Sequence, residues 1–179
     1  VVLGNVLETM SEHYMEMGAY KKALSTASRQ VELRQTLYGG DHPKVADAVA
    51  RLAEIQYNAK EYDKSLANYK KAIDIAEKAY GKEAPEVARY LNELGLVYLS
   101  LGKYDESKSV YERALTIVES ARGKDHLDVA TCLNNLALLK LNMGLLAEAQ
   151  TLTERGLAIR KQALGNESPV VARNLVNLA

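Results

Sequence analysis

The chain has 179 residues, 47% hydrophobic and 26% charged, a balance that excludes a disordered polar chain and suits a packed soluble protein. Its 23 basic residues match 23 acidic ones, which argues against holding nucleic acid or anionic lipid by bulk charge. One cysteine excludes an internal disulfide framework and a multi-cysteine zinc site, and no apolar run approaches the ~20 residues of a membrane helix. The opening Val1-Val2-Leu3-Gly4 reads as neither a signal peptide nor a natural beginning, so a fragment of a longer, cytoplasmic chain is expected.

The sequence repeats itself. Gly39, Gly81, Gly123 and Gly165 recur every 42 residues, and Pro43, Pro85 and Pro169 keep the same period, with Leu127 in the remaining slot. A mid-unit marker, Gly18, Gly102 and Gly144 with Lys60 replacing it once, precedes Tyr20, Tyr62 and Tyr104 by two residues. Between these markers apolar residues fall three and four apart, the stripe of an amphipathic helix. Proline at a first turn loses no hydrogen bond, and the glycines suit the left-handed close of a preceding helix. In chain order the predicted helices are 1–17 and 20–37, 43–58 and 62–79, 85–100 and 104–121, 127–142 and 146–163, then 169–179. The units are therefore 1–42, 43–84, 85–126 and 127–168, with a partial fifth over 169–179, all one continuous all-α array.

Small residues predict close stacking of the paired helices. Ser11, Ala53, Gly95 and Ala137 share one register position, and Ala72, Ala114 and Gly156 another, where Gln30 is the exception. A single pair cannot bury both faces, so stability must come from neighbouring units, as in a solenoid.

These residues resemble the tetratricopeptide repeat, whose units carry a Leu-Gly/Ala pair, a mid-unit Gly-x-Tyr and a later Ala. The 42-residue period is similar to the subclass found in kinesin light chains, carried best by Gly39-Gly40-Asp41-His42-Pro43-Lys44-Val45-Ala46 and by Leu133-Asn134-Asn135-Leu136-Ala137. The resemblance implies a right-handed superhelical solenoid of antiparallel helix pairs. It also implies a non-enzymatic adaptor or scaffold that binds a peptide or helix of a partner protein in its concave groove. The alternative is a self-assembly or autoregulatory scaffold whose groove receives a segment of its own parent chain, with array ends available for self-association.

No chemistry competes with that reading. The three histidines fall in different units; His42 and His126 occupy one connector position, where a shared role at the helix start explains both. Cys132 lies between apolar neighbours and reads as a buried, inert thiol. Tyr20, Tyr62, Tyr98, Tyr104 and Tyr111 sit at repeat positions where helix packing accounts for them. No catalytic residue, metal ligand or cofactor site is expected, and neither nucleic acid nor membrane insertion.

The resemblance places the ligand groove on the first helices. Carried over residue by residue, it nominates Glu8, Glu12, Glu54, Arg89, Asn92, Leu96, Thr131, Asn134, Leu138, Asn142 and Arg173. Glu8, Glu12, Glu16 and Glu54 are expected to form an acidic row that attracts Lys or Arg of a ligand. Asn92 and Asn134 are expected to bond its backbone, and Leu96, Leu99, Leu138 and Leu141 to seat apolar side chains. Glu8 and Glu12 stand where clamps for acidic chaperone tails need Lys and Asn, and the acidic half departs from the basic groove that kinesin light chains present to acidic cargo motifs.

Overall fold

A computed structural model describes residues 2–165; the helix expected over 169–179, and Arg173 with it, lies outside the described residues. Eight α-helices follow in order: α1 (Val2–Glu16), α2 (Tyr20–Tyr38), α3 (Pro43–Asn58), α4 (Tyr62–Tyr80), α5 (Pro85–Ser100), α6 (Tyr104–Arg122), α7 (Leu127–Asn142) and α8 (Leu146–Leu164). Pro43 and Pro85 open α3 and α5 at the first helical position. His42 and His126 cap α3 and α7: the Nδ1 atoms accept from the backbone N–H of Lys44 and of Asp128, each at 3.1 Å, which satisfies a donor the helix leaves free.

The second helix of each unit runs one residue beyond its predicted end. The following glycine takes a positive φ of 84°, 92°, 86° and 79° in turn, so the turn falls on the glycine itself and the residue before it stays helical. The tight turn inside each unit also needs a positive φ, held by Gly18, Gly102 and Gly144, and in the second unit by Lys60 at 61°.

Each helix packs on the one before and the one after it, while α3, α5 and α7 also touch in succession. The first helices thus stack along one side of the solenoid and the second helices along the other. One apolar core runs through the units, from Val31 on α2 and Val45 and Val49 on α3 to Leu133 on α7 and Ile159 on α8. Within the two central pairs a buried serine of the second helix donates to a carbonyl of the first, Ser65 Oγ to Ala53 and Ser107 Oγ to Gly95, each at 2.8 Å.

The small-residue positions have a direct steric cause. A Cβ on Gly95 would stand 2.4 Å from the Tyr111 ring, which is fully buried. Gln30 is buried in its small-residue slot, its Nε2 donating to the Gly4 carbonyl at 3.2 Å and to Glu8 Oε2 at 3.1 Å. Tyr98 and Tyr111 are core residues, but Tyr20 and Tyr104 are not. They remain 38% and 37% exposed, each at the first position of its helix, beside the turn within its unit.

Two ion pairs repeat the 42-residue period along the second helices: Arg113 to Glu77 at 2.7 Å ties α6 to α4, and Arg155 to Glu119 at 2.6 Å ties α8 to α6.

Candidate functional site

Stacking first helices side by side leaves furrows between them, and two adjoining clefts occupy the inner face. One, of about 260 Å³, lies between α3 and α5 and is lined by Asp47, Arg51 and Glu54 of α3, by Arg89, Tyr90 and Glu93 of α5, and by Glu8, Arg34 and Tyr69. The other, of about 370 Å³, lies between α5 and α7, with Arg89, Asn92 and Glu93 on one wall, Asp128, Thr131 and Asn135 on the other, and Val118 and Arg122 of α6 at its floor. Arg89 and Glu93 belong to both clefts.

The acidic row is not the free charge that the sequence suggests. Glu8 accepts from Arg34 Nη2 at 2.7 Å. Arg51 reaches Glu12 at 2.8 Å and Glu54 at 3.0 Å. Arginines from α2 and α3 thus neutralise three of the four carboxylates, and Glu16 faces His13 at 3.9 Å. Asp47 is likewise engaged: Arg89 Nη2 donates to it at 2.6 Å and Tyr90 Oη at 2.7 Å, with the guanidinium 4.5 Å from the Tyr90 ring centre. Burial and the Asp47 bond push the Tyr90 hydroxyl well up, so it stays a donor.

The amides are also partly spent on the fold. Asn92 Nδ2 donates to Cys132 Sγ at 3.3 Å and its Oδ1 accepts from Asn135 at 3.2 Å, bridging α5 to α7. Asn134 Oδ1 accepts from Arg160 Nη1 at 3.0 Å. Asn142 donates to the Leu138 carbonyl at 2.8 Å, and the Thr131 hydroxyl to the Leu127 carbonyl at 3.3 Å. Cys132 itself is buried, and burial pushes its thiol up, away from the nucleophilic thiolate.

What stays open is apolar at one end and anionic in the middle. Leu138 and Leu141 are 40% and 51% exposed on α7 and Leu96 is half-buried on α5, while Leu99 turns inward against Tyr111, Leu136 and Leu139. Glu93 is exposed and has neither hydrogen bond nor ion pair among the described residues. Its carboxyl is nevertheless raised above the ordinary carboxylate range, by burial first and by Glu54 second, against the pull of Arg89. Exposure and burial are reconciled by shape: water reaches Glu93, but the concave walls around it thin the shell that would solvate its charge. The groove rows named from sequence leave Glu93 out. The period did contain it, because Thr9, Arg51, Glu93 and Asn135 form the row one residue past Glu8, Ala50, Asn92 and Asn134.

No helix among the described residues is long and apolar enough to cross a membrane. A family model described as tetratricopeptide repeat matches residues 46–119 and again 86–162. Among solved structures, BtubC (BKLC) from P. vanneervenii superposes with a TM-score of 0.83 at 24% identity, covering 98% of this chain and 71% of that one. A Podosopora anserina protein assigned as a kinesin light chain with nearly identical TPR-like repeats gives a TM-score of 0.80 at 19% identity, over 97% of this chain and 82% of the other. The apo form of RapI gives 0.76 at 16% identity, over 99% and 68%. No curated protein matches the chain. Repeats of this family build protein-interaction scaffolds rather than enzymes. The matched repeats span more than half of the chain, and the antiparallel pairs wind as the right-handed superhelix of these neighbours, kinesin-light-chain-like repeats among them; the chain is a member of the tetratricopeptide repeat family.

Proposed function

We propose that this chain is a non-enzymatic adaptor segment that binds a peptide or helix of a partner protein on its concave face, within the cytoplasm. The observation that carries this reading is the pair of adjoining clefts between α3, α5 and α7, on helices that also carry the exposed Leu138 and Leu141 of α7 and the half-buried Leu96 of α5. Burying those leucines against a ligand contributes about 25 cal/mol per Å² before ordering costs are subtracted. Polar side chains along the clefts fix the ligand's direction and register rather than its affinity.

The test is selection of random 12-residue peptides on the intact chain, followed by dissociation rates for the selected peptides. Leu96→Asp and Leu138→Asp are expected to speed dissociation at least about tenfold, equivalent to ~1.4 kcal/mol, with circular dichroism unchanged. Dissociation rates that stay the same in both folded variants would move the binding surface off the inner face.

A further inference from the structure

Every carboxylate of the two clefts but two has a cationic partner in place: Glu8 has Arg34, Glu54 has Arg51, Asp47 has Arg89 and Asp128 has Arg122 at 2.6 Å. Of the remaining two, Glu86 lies in the first turn of α5, where the positive helix end offsets it. Glu93 lies mid-helix on the same element and has no such compensation. The neighbouring guanidinium of Arg89 is held by Asp47 and Tyr90 instead. Glu93 therefore stands on the ridge shared by both clefts, open to solvent and unpaired among the described residues.

We propose that Glu93 is the specificity-determining residue of the groove: it receives a lysine or arginine side chain of a bound peptide, at the point where the two clefts meet. The inference rests on the groove reading above and adds the ligand's chemistry to it. Charge complementarity carries it. The clefts offer one uncompensated charge, negative, reachable from outside, with room on either side for the apolar stem of a long cationic side chain. The ligand's cation belongs in the middle of the array, not at its first unit, where Arg34 and Arg51 already occupy that role.

A second consequence separates a binding role from a structural one. The charged and titratable groups that line the two clefts of Glu93 or act on it are Glu8 on α1, Arg34 on α2, Asp47, Arg51 and Glu54 on α3, Tyr69 on α4, Glu86, Arg89 and Tyr90 on α5, Tyr111 and Arg122 on α6 and Asp128 on α7. A carboxyl raised in the folded chain stabilises the fold below its unfolded value and loses that contribution as pH rises through the folded value. Ionised Glu93 is thus a liability in the unliganded protein, and Glu93→Gln should melt higher than the parent at pH 7, with the gain vanishing on acidification below the carboxylate range.

The experiment selects random 12-residue peptides on the intact parent chain and, separately, on Glu93→Gln. Parent-selected peptides should share a Lys or Arg whose replacement by Met weakens binding about tenfold. Against Glu93→Gln the same replacement should change affinity less than about twofold. Peptides that need Leu96 and Leu138 but show no such cation, or keep its full effect in Glu93→Gln, would overturn the inference while leaving the groove reading intact. Selected peptides indifferent to Leu96 and Leu138 would overturn both. A lower melting temperature for Glu93→Gln at pH 7 would assign the carboxylate a structural partner and also overturn it.

Discussion

At the scale of single residues, the tightest glycine site among the described residues is Gly95 against the Tyr111 ring. Gly95→Ala places a methyl where aromatic carbons stand at 2.4–2.7 Å. The ring is fully buried and has nowhere to retreat, so the substitution should cost about 1–3 kcal/mol. Lys103→Leu, at the exposed turn before α6, should stay within about 0.5 kcal/mol of the parent. Thermal unfolding of the two variants checks the pairing; equal melting temperatures would show that the ring yields. The same tyrosine carries a weakness. Its hydroxyl is buried without a well-formed hydrogen bond among the described residues, because the nearby Ser107 hydroxyl donates to the Gly95 carbonyl instead, and burial pushes its ionisation far up. Tyr111→Phe removes an unsatisfied group while keeping the ring, so stability should be unchanged or rise by up to about 1 kcal/mol. A loss of more than that in urea denaturation would reveal a bond the geometry lacks.

At the scale of helices and turns, most of the architecture was legible before any coordinates. The markers are local: a proline or His-Pro at a helix start, a glycine at each end and stripes three and four apart act through the chain's own neighbours. What escaped the sequence lies between elements. Arg34 is 26 residues from Glu8, and no stripe on α1 can announce that α2 will neutralise it. Asn92 looked like a ligand-binding amide, yet its partners Cys132 and Asn135 arrive from the next unit. Glu93 stood out only after those partners were assigned, since an unpaired charge is defined by its surroundings. One local irregularity was legible and has an energetic consequence. Lys60 replaces the mid-unit glycine and is forced to a φ of 61°, where a side chain costs about 1–2 kcal/mol against right-handed backbone. Glycine there relieves the strain but gives back part of the gain through unfolded-state entropy. Lys60→Gly should therefore raise stability by up to about 1 kcal/mol, read as a higher urea midpoint with an unchanged slope; a lower midpoint would mean that Lys60 makes a compensating contact.

At the scale of the whole molecule, charge ties every unit to the next. On the inner side charged pairs join the first unit to the second, Glu12 to Arg51, the second to the third, Asp47 to Arg89, and the third to the fourth, Asp128 to Arg122. The neutral Asn92–Asn135 bridge adds to the last of these. At the second helices the charged pairs are Asp41 with Lys78, Glu77 with Arg113 and Glu119 with Arg155, joining the same units in the same order. The solenoid is therefore a spring with a charged pair on each side of every joint among the described residues. Salt shortens the reach of such pairs, from a screening length of ~10 Å at 0.1 M to ~3 Å at 1 M. Raising it should loosen all three joints together. Spin-label distances between α1 and α3 and between α5 and α7 should both lengthen at high salt; shifts of opposite sign at the two joints would refute the evenly tied spring. A groove whose joints loosen in step converts ionic strength into shape, so the curvature met by an incoming ligand is set by the solution it arrives from.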